Sequence, residues 1–507
     1  MELRSSNSVI AKNTLMLYIR MLFVIVIGLY TSRVVLDVLG VEDFGTYGIV
    51  GSVVAMMGFL NSSMSGATSR FLTFELGKQD GGDPGKVFSS ALIIHIGIAL
   101  VVLLVCETLG QWWLNHKLVI PSERMAAAQQ VFQLSILTAM VGVIQVPFSA
   151  TVIAQEKMDI FAYIEIANVI LKLLIVYLLN LVRFDKLVLY ALLVFAVSCV
   201  VFSLYYFYCT SHYKESRFKW VWDKRLLIPM LSYSGWDLFG NFAVTGRQQG
   251  TNFLVNMFFG VVYNAASSVA TTVNGMLGGL CQNVLTAFRP RIIKLYSAQE
   301  SLQSMNLLFV AAKISTVLIV LIAIPMSFEM DLIMRVWLKN PPEYATLFCR
   351  IMLVSSCINM CECVLNIGIH ATGDVRKMSI LTGCCYLGTL PVIWLCYKFG
   401  LPVETAYYIS YVVCTCNLLI RGLLLQSLVP EFNFRDFFVR VVLPVLLIAS
   451  IIVAISLPII RIPDGAVRFF LMFSVDILLG GTLVFFLILD KDQRKSVLSF
   501  IKTKFAC

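Results

Sequence analysis

Residues 87–109 read VFSSALIIHIGIALVVLLVCETL, an apolar run long enough to cross a lipid bilayer as one α-helix. A hydrocarbon core about 30 Å thick requires about 20 such residues per crossing. Comparable runs recur along the whole chain of 507 residues. Because 59% of the residues are hydrophobic and only 13% are charged, against about 25% charged in an ordinary soluble domain, the sequence predicts an all-α polytopic membrane protein.

The composition also excludes several classes of protein. Soluble enzymes, nucleic-acid modules and secreted disulfide scaffolds do not carry apolar runs of this length and number. A β-barrel is disfavoured, since its strands would give alternating patterns of about ten residues. The fourteen cysteines lie mostly inside apolar segments, with no C-x-x-C and no Cys/His ligand spacing. We therefore expect them to be packing residues and predict no metal site. The apolar composition predicts no nucleic-acid partner.

Short polar breaks divide the chain into fourteen predicted membrane spans. The breaks contain turn residues such as the Gly-Gly-Asp-Pro of residues 81–84 and the Pro-Pro of residues 341–342, and none is long enough to hold a separate domain. The predicted spans cover residues 13–36, 47–70, 87–109, 126–153, 160–180, 187–209, 229–259, 264–288, 306–328, 346–370, 379–398, 404–428, 437–457 and 467–489.

The distribution of basic residues predicts the orientation of these spans. With the N-terminus in the cytoplasm, the inner segments and adjoining span ends hold 24 of the 39 Lys and Arg residues, and the outer ones hold nine. The other six lie within spans. Because basic residues collect on the cytoplasmic side, this asymmetry predicts an even number of crossings with both termini in the cytoplasm. The net charge of +10 is then a signal of membrane orientation.

The sequence contains an internal duplication with a period of about 220 residues. Shifting the chain by this distance places Leu39-Gly40 on Phe259-Gly260 and Lys157-Met158 on Lys377-Met378. Each half then holds six spans of the same orientation, and two such lobes can enclose a central cavity that opens to either side, the architecture of a transporter. We predict an N-terminal lobe over residues 1–212, a C-terminal lobe over 213–430, and two extra helices with a cytoplasmic tail over 431–507.

A glycine- and aromatic-rich motif follows the first predicted span. Residues 38–48 read VLGVEDFGTYG, and the second half answers with Phe259-Gly260 and with NAASSV at residues 264–269. Together with fourteen spans and the repeat, this motif resembles the polysaccharide-flippase (Wzx-type) branch of the multidrug/oligosaccharidyl-lipid/polysaccharide (MOP) exporter superfamily. The sequence has no G-x4-G-K-[ST] motif, which agrees with a transporter that does not hydrolyse ATP.

The resemblance implies a V-shaped fold and a function. Such a flippase moves undecaprenyl-diphosphate-linked oligosaccharide units, for O-antigen or capsule, from the inner to the outer leaflet of the bacterial inner membrane. It works by alternating access coupled to a proton or Na⁺ gradient, needs no other cofactor and is not an enzyme. Polysaccharide polymerase and assembly proteins are candidate partners beside the bilayer itself. In the related lipid II flippases the extra helices form a groove for the lipid tail, and the last two spans are expected to do the same.

Charged residues within the predicted spans are candidates for the substrate site. A charge at the bilayer centre costs between about 3 and more than 10 kcal/mol, so each such residue suggests a function. A diphosphate needs a wet, cationic cavity, and arginine grips phosphate oxygens with a planar fork. We predict that Arg20, Arg33, Arg247 and Lys313 line this cavity. The alternative is a structural role, such as an ion pair of Arg33 with Asp37 one turn later.

Polar and acidic residues complete the predicted site. Amides along the seventh and eighth spans could bind sugar hydroxyls, although small polar residues also serve helix packing. The lining candidates are Asn241, Gln248, Asn252 and Asn274. Asp237 is level with Arg20 and could form an inner gate with it. Glu362 and Asp476 are candidate proton or cation sites, or else neutral hydrogen-bonded carboxyls.

Three other functions remain open from sequence. A drug or metabolite exporter of the same superfamily usually has twelve spans and an acidic, aromatic cavity, whereas the candidate cavity here is basic. A membrane glycan polymerase, ligase or glycosyltransferase would need acid and base residues on a sizeable outer loop, and the longest outer breaks are short. A scaffold that has lost transport would have no reason to keep costly intramembrane arginines.

Overall fold

The structure is a computed structural model in which every regular element of the described residues is helical. Ten of the helices are long and apolar enough to cross a membrane, which confirms the predicted all-α polytopic membrane fold. The described backbone covers residues 2–55, 58–78, 82–116, 122–179, 185–220, 223–338, 342–463, 465–483 and 486.

Fourteen main helices, α1 to α14, follow one another along these ranges. A short helix, Met330–Leu338, comes after the ninth, and the third and thirteenth each include one π-helical turn. The fourteen are Glu2–Ala55, Gly58–Gly77, Pro84–His116, Met125–Ala154, Met158–Leu178, Lys186–His212, Lys224–Phe259, Val261–Ser297, Ser301–Phe328, Ala345–Thr372, Arg376–Lys398, Thr405–Leu428, Phe434–Ile459 and Ala466–Leu483.

Single glycines interrupt the chain at two places where the sequence predicted longer breaks. The predicted break at residues 37–46 is wrong in extent, because α1 is helical on both sides of Gly40, whose φ is 77°. Likewise, only Gly260, with a φ of 89°, separates α7 from α8. Glycine has no Cβ and adopts a positive φ without strain, so one residue redirects each helix. The two glycines are 220 residues apart, as the internal duplication predicts.

The helix boundaries repeat in the two halves with almost the same offset. The starts of α3 to α6 and the starts of α9 to α12 are separated by 217 to 220 residues. The paired starts are Pro84 and Ser301, Met125 and Ala345, Met158 and Arg376, and Lys186 and Thr405.

The chain forms two compact units. The first consists of residues 1–242 with the short segments 289–300 and 373–376. Within it, α4 packs against α1, α2, α3 and α6, around a buried apolar core that includes Phe88, Phe148 and Tyr205. Close packing of such large side chains gives the van der Waals contacts that hold membrane helices together.

The second unit consists of residues 243–288, 301–372 and 377–507. Here α10 packs against α9 and α12, while α13 and α14 pack on each other and on α9. The two helices outside the repeat are therefore part of the second unit. The predicted lobe boundaries at residues 212 and 430 stay a prediction.

Candidate functional site

A polar cavity of about 120 Å³ lies within the second unit. Helices α7, α8, α10, α11 and α12 each contribute to its wall. The sequence supplies it by placing hydroxyl, amide and guanidinium groups on otherwise apolar helices. The lining residues are Val244, Arg247, Asn274, Met352, Ser355, Ser356, Asn359, Tyr386, Tyr407, Ser410 and Cys414.

Arg247 supplies the positive charge of this cavity. Its Nη1 donates a hydrogen bond to Oγ of Ser410 at 3.3 Å, and its guanidinium carbon lies 5.2 Å from the centre of the Tyr386 ring. The buried Nε makes no hydrogen bond to a described residue, and Arg247 forms no ion pair within the described part of the chain. The guanidinium therefore faces the cavity with unused hydrogen-bond donors.

Two further charges stand behind the cavity wall and pair with each other. Glu362 of α10 is fully buried, and its Oε1 lies 3.2 Å from Nη2 of Arg421 in α12. The same Oε1 accepts a hydrogen bond of 2.6 Å from the Tyr386 hydroxyl. Glu362 was a coupling candidate predicted from sequence, and the structure shows it in a buried ion pair with Arg421. Because the two charges neutralise each other, the cavity keeps the single positive charge of Arg247.

The predicted amide residues fall in different surroundings. Asn274 lines the cavity and accepts a hydrogen bond from Ser356, while Asn252 accepts one of 2.7 Å from Ser267 across α7 and α8. Gln248 is exposed. Asn241 belongs to the first unit and donates to Asp237 at 3.3 Å. Of the four, the structure brings only Asn274 to the Arg247 cavity.

In the first unit, Arg20 and Asp237 were predicted to form an inner gate. The guanidinium carbon of Arg20 lies 5.2 Å from the centre of the Phe161 ring, a cation–π contact. Asp237 is half-buried on α7 near Gly66. The gate pair stays a prediction.

The other predicted charges lie outside the cavity lining or outside the description. Lys313 is half-buried on α9, and the side chain of Arg33 is outside the described part of α1. Asp476 on α14 is fully buried and accepts a hydrogen bond of 2.9 Å from Ser456 on α13, while its second oxygen has no hydrogen-bond partner among the described residues.

Two arginines of the second unit that are buried in ion pairs were not identified from sequence. Arg421 and Arg468 were counted with the loops and span ends on the two sides of the membrane, but each forms an ion pair with a fully buried carboxylate. Arg468 makes a bidentate contact with Glu329, at 2.7 Å and 3.0 Å. Both could have been identified from sequence, because Arg421 falls inside the predicted span 404–428 and Arg468 inside the predicted span 467–489, where any charge is costly.

No group of three or more His, Cys, Asp or Glu side chains that could hold a metal ion occurs in the part of the chain that the structure describes. The cavity lining contains one cationic side chain, that of Arg247. Its guanidinium, hydroxyl and amide groups can bind a polar anion.

Comparison with known proteins identifies the fold. Residues 17–178 match the MatE family. No curated protein sequence is significantly similar to the chain. Among solved structures, an outward-facing multidrug resistance MATE family transporter of the MOP superfamily has a TM-score of 0.72 at 11% sequence identity. The alignment covers 84% of this chain and 97% of that chain.

Two more solved structures are similar to a comparable degree. A variant of the Vibrio cholerae MATE transporter VcmN has a TM-score of 0.71 at 14% identity, covering 86% of this chain and 99% of that one. A MOP superfamily transporter from Pyrococcus furiosus has a TM-score of 0.70 at 11% identity, covering 84% and 96%. The binding pocket of that protein is described as having a reverse polarity that suggests a different function. The chain therefore has the fold of MATE transporters, which agrees with the transporter fold predicted from sequence.

Proposed function

We propose that this chain is a membrane transporter of the MOP type that carries undecaprenyl-diphosphate-linked oligosaccharide units across the bacterial inner membrane by alternating access. The MATE-like fold and the MatE match of residues 17–178 support the transporter class. The lipid-linked glycan as substrate is supported by the chemistry of the second-unit cavity and by the motif at residues 38–48.

The main support for the proposed substrate is the position of the Arg247 guanidinium beside the cavity. Its guanidinium borders a polar cavity and has no carboxylate partner among the described residues. Arg247 is half-buried, and its buried Nε has no hydrogen-bond partner among the described residues, so part of its desolvation is not compensated within the protein. A ligand that brings its own negative charge would compensate it. A diphosphate does so with oxygens that match the planar fork of the guanidinium.

The rest of the cavity fits a polar group attached to that anion. Ser355, Ser356, Asn359 and Asn274 also line the cavity. Hydroxyl and amide groups such as theirs can bind sugar hydroxyls. At about 120 Å³ the described cavity holds a diphosphate or one sugar ring better than a whole repeat unit. We therefore assign it to the diphosphate and the first sugar.

The driving ion in this proposal is a proton or Na⁺. Asp476 is the first candidate site, because one of its oxygens has no hydrogen-bond partner among the described residues and the residue is fully buried. A buried carboxyl oxygen without a protein partner leaves a position that a proton or Na⁺ can occupy. Asp237 is the second candidate, and Glu362 the third because it is already paired with Arg421.

A drug exporter is the alternative function. The fold similarity to multidrug transporters and the rings of Tyr386 and Tyr407 in the cavity wall favour it. Aromatic rings attract cationic drugs, but Arg247 repels them from the same space. A drug exporter of this kind would therefore be distinguished from a glycan transporter by the sensitivity of a deletion strain to cationic drugs.

The test is genetic and biochemical. In a host whose glycan pathway depends on this protein, deletion should cause lipid-linked oligosaccharide to accumulate in the inner leaflet, and the wild-type gene should restore export. We expect Arg247→Ala to reduce transport about 10- to 100-fold, since a charge-assisted hydrogen bond is worth about 1.5 to 3 kcal/mol.

The matched control is Arg440→Ala. Arg440 is an exposed arginine of the same unit, and its only described ion pair is a 3.9 Å contact with Asp436. Its removal changes the net charge equally but leaves the cavity intact. If the Arg247 and Arg440 variants both restore export fully, the anion site is refuted. If the deletion strain exports glycan normally but becomes sensitive to cationic drugs, the exporter alternative replaces the proposal.

A further inference from the structure

Tyr386 connects the cavity arginine to the buried ion pair behind it. The ring of Tyr386 lies 5.2 Å from the guanidinium carbon of Arg247, while its hydroxyl donates a hydrogen bond of 2.6 Å to Oε1 of Glu362. The two contacts use opposite parts of one rigid side chain. Loss of the hydrogen bond from the Tyr386 hydroxyl to Glu362 would therefore shift the ring that contacts Arg247.

The partner of the Tyr386 hydroxyl is itself fixed. Glu362 is fully buried and bound to Arg421, whose Nη1 also reaches the backbone oxygen of Glu362 at 3.4 Å. Moving either charge would leave the other buried without compensation, so the pair has one strongly preferred geometry. The carboxylate is therefore a stationary anchor for the tyrosine hydroxyl.

The contacts on Arg247 explain why the ring matters. Ser410 accepts the only hydrogen bond that Arg247 donates to a described residue. One hydrogen bond cannot fix a guanidinium, which has three planar nitrogens on a flexible stem. A ring against the guanidinium restricts it and leaves the N–H groups at its edge directed into the cavity.

We propose that Tyr386 is a positioning residue for the anion site, and that it acts through Arg247. This inference rests on the proposed function and deepens it. The carboxylate of Glu362, paired with Arg421, fixes the position of Tyr386 through its hydroxyl. The ring of Tyr386 in turn keeps the guanidinium of Arg247 in the orientation that binds the diphosphate. The network thus orients the cation as well as leaving the cavity with one uncompensated positive charge.

A packing role is the competing explanation. Tyr386 is largely buried and contacts Ala243 and Val413, so its loss could simply loosen the unit. The two roles differ in one respect. Packing affects binding whatever residue stands at position 247, whereas positioning matters only while a planar guanidinium is there to be oriented.

The experiment uses Tyr386→Phe, which keeps the ring and removes the hydroxyl. The full-length protein is reconstituted in nanodiscs and titrated with undecaprenyl diphosphate as the probe. We expect about 3- to 10-fold weaker binding, the range of a displaced cation–π and hydrogen-bonded contact. Tyr397→Phe is the matched control, because Tyr397 is equally buried in the same unit and its hydroxyl donates to the backbone of Val403 at 2.8 Å. Its binding should equal that of the wild type.

The same substitution is then made in the Arg247→Lys background. Lysine carries a compact charge without a plane to orient, so we expect Tyr386→Phe to change its affinity less than about twofold. An equal loss in both backgrounds, or no loss beside Arg247, overturns the positioning role. If Arg247→Ala binds the probe as tightly as the wild type, the anion site itself is refuted. If Arg247→Ala weakens binding but Tyr386→Phe does not, only the positioning role is refuted.

Discussion

Three arginines in the helices of the second unit have two different kinds of surroundings. Arg421 and Arg468 each contact a fully buried carboxylate, whereas Arg247 borders a cavity and contacts a hydroxyl and a ring. Arg421 and Arg468 lie in helices apolar enough to cross a membrane, whereas Arg247 lies in α7, whose sequence is more polar. The first two are neutralised within the fold, and only the third keeps a charge to offer a ligand. An arginine in a membrane span thus points to function only when its partners are known.

We expect the two paired arginines, Arg421 and Arg468, to affect stability, and Arg247, which borders the cavity, to affect transport.

Arg468→Met should have the largest effect on stability, because it leaves Glu329 buried without a partner. We expect a loss of about 3 to 5 kcal/mol in the free energy of unfolding, measured by thermal or denaturant unfolding of the purified protein in detergent. The double variant Glu329→Gln/Arg468→Met should be much less damaged. If Arg468→Met is as stable as the wild type, the bidentate contact with Glu329 does not contribute to stability.

A partly exposed ion pair in the first unit should give an intermediate effect. Lys294 and Glu156 are 2.9 Å apart, with side chains 20% and 16% exposed. Lys294→Glu places two carboxylates together, and we expect a loss of about 1 to 2 kcal/mol. The reversed pair Glu156→Lys/Lys294→Glu should recover most of it. Failure of the reversed pair to recover stability would mean that Lys294 acts through other contacts.

The sequence predicted the helices of both units but not these differences. Length and hydropathy determine a membrane helix locally, so residues 87–109 and the other apolar runs are identifiable without a structure. An ion pair depends on which helix faces become neighbours. Glu362 and Arg421 are 59 residues apart, and Glu329 and Arg468 are 139 apart, so no local spacing rule connects them.

The candidate site was predictable to a similar degree. Arg247 was identified because a charge among apolar residues is rare, and Asn274 because amides are dense in α8. Tyr386 was not identified, since a tyrosine in an apolar helix is ordinary and only its contacts with Arg247 and Glu362 reveal a role. The helix break at Gly40 was predicted too long, because sequence shows a turn-forming motif but not that one residue suffices.

Loss of a solvent-exposed ion pair should lower the free energy of unfolding less than loss of the Glu329–Arg468 pair or of the Glu156–Lys294 pair. Asp83 is the N-cap of α3: it accepts a hydrogen bond from the Lys86 backbone N–H at 3.1 Å, and its carboxylate is 3.1 Å from the Lys86 ammonium. Both side chains are 52% exposed. We expect Asp83→Ala to cost about 1 kcal/mol through the lost cap and Asp83→Asn, which still caps, only a few tenths.

The pH dependence of this pair has a defined sign. The backbone hydrogen bond from Lys86, followed by its charge, lowers the pKa of Asp83 below the ordinary value of 3.8. Its stabilising contribution is therefore complete above pH 3.8 and is lost as the pH falls through the lowered pKa. The difference in unfolding free energy between wild type and Asp83→Ala should stay constant from pH 8 to about pH 5 and shrink below about pH 4. A difference that shrinks already near pH 6 would contradict this assignment.

The smallest change in stability is expected at Arg247, although its effect on transport is the largest. Arg247→Gln removes a charge that no described carboxylate compensates, so no buried anion is left unpaired, and the lost bond to Ser410 is a single one. We expect the free energy of unfolding to change by less than about 0.5 kcal/mol, while export falls as for Arg247→Ala. Arg421→Gln, measured beside it, should lose several times more stability because Glu362 keeps its charge in the interior. Equal losses for the two variants would mean that Arg247 is a structural residue like the other two, and the distinction between paired and open arginines would no longer identify the transport site.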